Sequence, residues 1–119
     1  MGKTIALLTD FGLRDGYVAA MKGVIYSIDP EIRIIDITHE IEPQNIDEAA
    51  FVLWYVYSNF PKKTVFVSVV DPGVGSKRNI LCVETNNHYF LAPDNGLLKV
   101  IHFTEEIYLL LWLHGLQKG

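Results

Sequence analysis

A single cysteine among 119 residues excludes an intramolecular disulfide framework. Cys82 sits inside the apolar run Ile80-Leu81-Cys82-Val83, where it reads as a small buried hydrophobe rather than a reactive thiol. A chain built without disulfides fits a reducing compartment, and a cytoplasmic location is expected. Basic excess is missing as well: ten Lys and Arg stand against fourteen Asp and Glu, for a net charge of −4. No basic run or stripe is legible, so no nucleic-acid partner is expected. Long apolar runs are absent near the start, where Asp10 interrupts the stretch after Lys3 too early for a signal segment or a membrane span. No membrane partner is expected. His88, His102 and His114 have no metal-ligand spacing with one another or with Cys82, so no metal site is expected. Neither a Ser-His-Asp nor a Cys-His arrangement is legible. The glycine-rich segment Asp71-Pro72-Gly73-Val74-Gly75-Ser76-Lys77-Arg78 is not a Walker loop either, because its lysine follows Ser76 and Arg78 stands where a hydroxyl is needed.

What is present is an ordinary to slightly apolar globular composition, half hydrophobic and one fifth charged. The length suits one domain, residues 1–119, with one core. It is short for an enzyme that must wall in a substrate from two sides, which predicts a shared site. Thr4 to Thr9 and Thr64 to Val70 are apolar, β-branched runs of the kind that form strands covered on both faces. Between them Tyr17, Val18, Met21, Val24, Ile25 and Ile28 recur at helical spacing, with Asp15 or a near neighbour as cap and Asp29-Pro30 as stop. Arg33 to Ile37 reads as a short strand. A second helix follows, capped by Asn45 or Asp47, carrying the stripe Ala49, Ala50, Leu53, Trp54 and Tyr57 to about Asn59. Strand, helix, strand, helix, strand predicts a parallel sheet joined by right-handed crossovers. Beyond Asp71 the pattern shortens to two strands, Asn79 to Glu84 and His88 to Ala92, across a hairpin in which Asn86-Asn87 supply positive φ. Leu97 to Phe103 reads as a short helix. The expected class is therefore α/β: a three-layer Rossmann-like domain with a mixed, mainly parallel sheet and helices on both faces. Ile107 to Leu113, IYLLLWL, is greasy enough to predict self-association unless the sheet covers it.

The candidate chemistry gathers at strand ends, where open α/β sheets bind ligands. Asp71 leaves a buried strand into a turn that Pro72, Gly73 and Gly75 shape, and Arg78 begins the return run, so an anion and a cation flank one loop. An Asp-Pro-Gly segment can equally be only a turn. Asp10 ends the first strand. A carboxylate there can accept hydrogen bonds from both hydroxyls of a ribose, or it can simply satisfy its own turn's N–H groups. Asp94 and Asn95 in Pro93-Asp94-Asn95-Gly96 can line a pocket as well as make a turn. His39, after Thr38, titrates near neutrality if exposed but reads first as a structural residue. Such groups suit binding and polarising a water rather than forming a covalent intermediate.

Four segments in register, LLTDFGLRDGYV, DITHEI, VVDPGVGSKR and APDNGLL, resemble the S-adenosyl-L-methionine (SAM) hydrolases that form adenosine, relatives of the SAM-dependent chlorinases and fluorinases. The match runs from Ile5 to about Leu98. The resemblance implies attack by water or hydroxide on the ribose C5′ of SAM, releasing methionine and leaving adenosine, with SAM as substrate and no cofactor. It implies catalytic roles for Asp71 and Arg78, whose seven-residue spacing matches the family's Asp and Arg, and substrate-binding roles for Asp10, with Phe11 beside it, and for Asp94 and Asn95. The related halogenases lack this Asp-Arg arrangement, which favours water over halide. The family's catalytic His lies beyond the PDNG motif, near a β-rich C-terminal domain that these 119 residues do not contain; neither His102 nor His114 stands in a matching context. The resemblance also implies a homotrimer whose site is completed by a neighbouring subunit. The alternatives from other classes are a nucleoside- or SAM-binding module without turnover and an oligomerisation module.

Overall fold

A computed structural model describes residues 3–71 and 79–113. Six strands form one mixed sheet in the order β2-β1-β3-β5-β4-β6. The strands are β1 (Thr4–Thr9), β2 (Arg33–Thr38), β3 (Val65–Val69), β4 (Ile80–Thr85), β5 (Tyr89–Pro93) and β6 (Ile107–Leu113). The helices are α1 (Tyr17–Ile28), α2 (Ile46–Val56), prolonged by a 3-10 turn over Tyr57–Asn59, and α3 (Lys99–Thr104). β2, β1, β3 and β5 run parallel to one another, whereas β4 runs antiparallel to both β5 and β6. The α/β class with a mixed sheet is as expected.

β1 is the branching point of the sheet. The chain leaves it through α1 to reach β2 on one side, then returns through α2 to β3 on the other. Two right-handed crossovers in opposite directions put α1 and α2 on opposite faces. Such a reversal opens a crevice at the carboxyl ends of the strands.

The core lies on the α2 face. Ala6 and Leu8 of β1, Phe66 of β3, Leu81 and Val83 of β4 and Phe90 of β5 pack with Ala49, Leu53 and Tyr57 beneath α2, and with Leu97, Leu98 and Ile101 around α3. Phe66 and Phe90 stack with ring centroids 5.2 Å apart, and Tyr57 meets Phe90 edge-on at 5.6 Å. His88 is buried in this cluster, edge-on to Tyr57, with its Nε2 3.2 Å from the Phe60 carbonyl oxygen. The α1 face is thinner. Leu7 and Val18 are buried outside the main cluster, but Val65, Val67 and Val69 are only half-buried. The expectation that β3 is covered equally on both faces is thus corrected: the strand alternates, as a sheet with one heavy and one light layer requires.

Local chemistry explains most boundaries. The Asn45 side chain accepts the Glu48 N–H at 2.9 Å and caps α2, as a short amide side chain does at a helix start. α1 begins after Gly16 with no side-chain cap; Asp15 reaches only the Tyr17 N–H, at 3.5 Å. The hairpin between β4 and β5 also differs from expectation, for neither Asn86 nor Asn87 has positive φ. The Thr85 Oγ1 accepts the His88 N–H at 3.2 Å instead, and the Thr85 N–H donates to the His88 carbonyl at 3.0 Å, so a threonine closes the turn.

Candidate functional site at the carboxyl edge of the sheet

Asp10 and Asp71 follow the ends of neighbouring parallel strands. In their pairing Leu8 stands beside Ser68 and Thr9 beside Val69, so both carboxylates emerge at one edge. β5 runs parallel to β3 and delivers Asp94 and Asn95 to the same edge. The expected gathering of these residues therefore holds in the fold, with Asp10 at the branching strand. Arg78 and the segment Pro72 to Lys77 lie outside the described residues.

Asp10 is half-buried, and its Oδ2 accepts the Gln44 N–H at 2.7 Å. Gln44 takes φ 64°, an unusual backbone for a residue with a side chain, and this turns its N–H toward the strand end. Among the described residues nothing engages Asp10 Oδ1. An ionised carboxylate has about four acceptor sites on its two oxygens, so Asp10 retains capacity for a ligand's hydroxyls. Phe11 lies against Tyr17, ring centroids 5.9 Å apart. Gly12 has φ 71°, where a side chain is strained.

Asp71 is buried. Beside it Asn95 ties two strand ends together: its Nδ2 donates to the Val70 carbonyl at 2.9 Å and its Oδ1 accepts the Leu97 N–H at 3.1 Å. Gly96, with φ 90°, completes that turn. Asp94 points its carboxylate to β6, accepting the Trp112 indole N–H at 3.0 Å. Asn95 thus belongs with the Asp10 and Asp71 edge, whereas the described contact of Asp94 is lateral.

A groove of about 540 Å³ opens between the start of α2 and the PDNG turn. Gln44, Asn45, Asp47, Asn95 and Lys99 line it, and Lys99 reaches Asp47 at 3.2 Å. The groove stops short of both carboxylates but borders them through Gln44 and Asn95, so a ligand held by Asp10 has room beside it. Among the described residues no cluster of His, Cys, Asp or Glu is placed to hold a metal ion, and no helix is long and apolar enough to cross a membrane.

One group was legible only in part. His39 is buried, with Nδ1 2.7 Å from the Thr9 Oγ1 and Nε2 2.7 Å from the Asp36 Oδ1. Lys22 on α1 meets the other oxygen of Asp36 at 2.7 Å. Burial works to raise the Asp36 carboxyl, but hydrogen bonds from Lys22 and His39, and their charges, outweigh it and hold the pKa below its ordinary 3.8. The available signal was the i, i+3 spacing of Asp36 and His39 at a strand's end. Gln44 acts through its backbone and left no signal in its side-chain type.

Comparison with known proteins matches residues 5–113 to the model of the SAM hydroxide adenosyltransferase N-terminal domain. A (R)-S-adenosyl-L-methionine hydrolase of Methanocaldococcus jannaschii is 47% identical over 102 residues, which cover 82% of this chain and 38% of that protein. A fluorinase of Nocardia brasiliensis is 26% identical, with 82% of this chain and 40% of that protein covered. Among solved structures, an uncharacterized conserved protein from Thermotoga maritima superposes with a TM-score of 0.86 at 45% identity, over 91% of this chain and 42% of that one. The chain therefore spans less than half the length of the relatives it matches.

Proposed function

The chain belongs to the SAM hydroxide adenosyltransferase family, and on that premise we propose that it forms the nucleoside-binding half of an enzyme that hydrolyses SAM to adenosine and L-methionine. The observation that carries the proposal is the exit of Asp10 and Asp71 at one edge of adjacent parallel strands, at the branch of the sheet. In this reading Asp10 accepts the ribose 2′- and 3′-hydroxyls, Phe11 and Asn95 border the nucleoside, and Asp94 supports the neighbouring turn. Asp71 orients a water behind C5′ and takes its proton as the water oxygen bonds to C5′. The C5′–S bond breaks and its electron pair returns to sulfur. A sulfonium leaves as a neutral thioether, so the leaving group needs no proton, and alignment and exclusion of competing nucleophiles carry the rate. Arg78, which the resemblance pairs with Asp71, is assigned to orient that carboxylate. The reaction calls for no cofactor, and the enzyme works in the cytoplasm.

The domain assignment follows the same reading: residues 1–119 belong to the family's N-terminal unit. β6 exposes Tyr108, Leu109, Leu111, Trp112 and Leu113, which supports self-association, with a homotrimer as the family pattern. A second reading is binding without turnover, which the Asp10 Oδ1 left unengaged among the described residues would serve equally well.

Calorimetric titration with SAM and adenosine, joined to an assay for released adenosine, separates the two. In a preparation that turns over, Asp71→Asn leaves adenosine affinity nearly unchanged and lowers the rate by roughly 10²–10⁴-fold, the usual cost of losing a general base. Asp10→Ala weakens adenosine binding by about 1.5–3 kcal/mol, as expected when charge-assisted hydrogen bonds are lost. Equal loss of binding in both variants would overturn this division of roles. Adenosine binding without any release of product from SAM selects the second reading.

A further inference from the structure

The chain Lys22–Asp36–His39–Thr9, buried at its His39 and Thr9 end, lies next to the proposed site without belonging to it. Its last three members have the composition of a nucleophile relay, a carboxylate, an imidazole and a hydroxyl at 2.7 Å spacings. Burial rules that chemistry out. Thr9 has no exposed surface and His39 is 3% exposed, so no substrate carbon reaches the hydroxyl. The Thr9 Oγ1 is also occupied, since it accepts the Phe11 N–H at 3.2 Å.

The same bonds make sense as a clamp. Asp36, ionised and paired with Lys22, can only accept, so the proton on His39 sits at Nε2. When the ring carries only that proton, Nδ1 accepts and the Thr9 hydroxyl donates to it. Donation commits the one hydroxyl proton and leaves the Thr9 oxygen's lone pairs aimed at the Phe11 N–H. At the other side of the turn the His39 carbonyl accepts the Gly12 N–H at 2.7 Å. One residue of the strand-end loop after β2 thus fastens both the Phe11 and the Gly12 amides, and Asp10 is the residue just before them.

We propose that His39, oriented by Asp36 and acting through Thr9, is a positioning residue that sets the Asp10–Phe11–Gly12 turn in the conformation that receives the ribose diol. The inference rests on the reading of Asp10 as the diol ligand. It adds that affinity for the nucleoside depends on a buried hydroxyl that never touches it. Among the described residues the Asp10 carboxylate is otherwise held by the Gln44 N–H, from the far end of the same β2–α2 loop. The two ends of that loop, His39 through Thr9 and Gln44 directly, give it a single direction.

The test uses the full chain, with adenosine as the titrant and hydrogen exchange at the Phe11 and Gly12 amides as a ligand-free readout. Thr9→Val keeps shape but removes the hydroxyl. It should weaken adenosine binding roughly tenfold, the equivalent of one lost hydrogen bond, and speed exchange at Phe11. Thr9→Ser should restore both. Tyr57→Phe removes the 2.6 Å bond to Glu105 at the far end of α2; it loosens the fold elsewhere and should leave adenosine affinity unchanged. If Thr9→Val does not fold, Asp36→Asn at its partly exposed position frees the imidazole from its orienting carboxylate and should weaken binding in the same direction. Wild-type affinity in Thr9→Val or Asp36→Asn, alongside weakened binding in Asp10→Asn, overturns the positioning role and leaves the site reading standing. Wild-type affinity in Asp10→Asn, or no adenosine binding by the wild-type chain, removes the site reading and this inference with it.

Discussion

The two faces of the sheet are built from the same kind of sequence and end up in different environments. Under α2 and α3 the inward residues Ala6, Leu8, Phe66, Val83 and Phe90 are buried to within a few per cent. On the α1 side Val65, Val67, Val69 and Leu91 stay half-exposed, and α1 itself leaves Val24 60% and Ile28 80% exposed. α1 is therefore attached with less apolar burial than α2, and the Lys22–Asp36 bridge to β2 adds a polar link. One face supplies cohesion, whereas the other supplies the clamp on the Asp10 turn. A layer that holds a ligand-binding turn through hydrogen bonds can respond to the ligand without disturbing the core.

The contrast is broken most severely by Phe66→Ala. Removing a fully buried ring that stacks on Phe90 should cost about 3–5 kcal/mol, read as a large fall in the denaturation midpoint. Val67→Ala, one residue along the same strand but on the other face, should cost only about 1 kcal/mol, since fewer of its methyl groups leave water on folding. Equal losses from both variants would mean that the α1 face is as tightly covered as the α2 face. Ser68→Ala sharpens the comparison further. Its hydroxyl is buried with no hydrogen-bond partner among the described residues, so alanine should be neutral or raise stability by up to about 1 kcal/mol.

The smallest effect concerns pH. The Asp36 carboxyl has a folded-state pKa below 3.8, so its stabilising contribution is complete above that ordinary value. It is lost as the pH falls through the lower folded-state value. Because the bridge is partly exposed, the loss should stay near the ~0.2–1 kcal/mol of such pairs. Hydrogen exchange followed into this acid range should show α1 losing protection before α2. Simultaneous loss would assign α1 to the same cooperative unit as the core.

Much of this was readable in the sequence, for identifiable reasons. β-branched runs ending in Asp10 and Asp71 marked both the parallel strands and their shared carboxyl edge, and Asn45 announced α2 through its capping chemistry. The stripe on α2 was a true core stripe, apart from the half-exposed Trp54. The similar stripe on α1 was not, because periodicity records which face is apolar and not how much of it a neighbour covers. The hairpin turn does lie at Asn86 and Asn87, but without positive φ, because the side chain that closes it, Thr85, belongs to the strand pattern. His39 was read as structural without its partners, since the pairing of Thr9 with a residue thirty positions away exists only once β1 and β2 are aligned. Asp94 and Asn95, adjacent in one motif, diverge because β6 offers Asp94 an indole N–H that sequence could not place.

The strand order also implies a sequence of events in time. β4 and β5 pair antiparallel through a short connection, with β6 joining β4 from beyond α3, and contacts between residues close in the chain close quickly. β1 and β3 must find each other across two helices and a strand, with Ile5 meeting Val65, which carries the larger loop-closure entropy. The antiparallel half can therefore form first and present β5 as a template for β3, after which β1 docks. Asp10 and Asp71 come together only in that last step. The edge that carries the proposed site is then the youngest part of the structure each time the chain folds, and a slow refolding phase should coincide with the recovery of nucleoside binding.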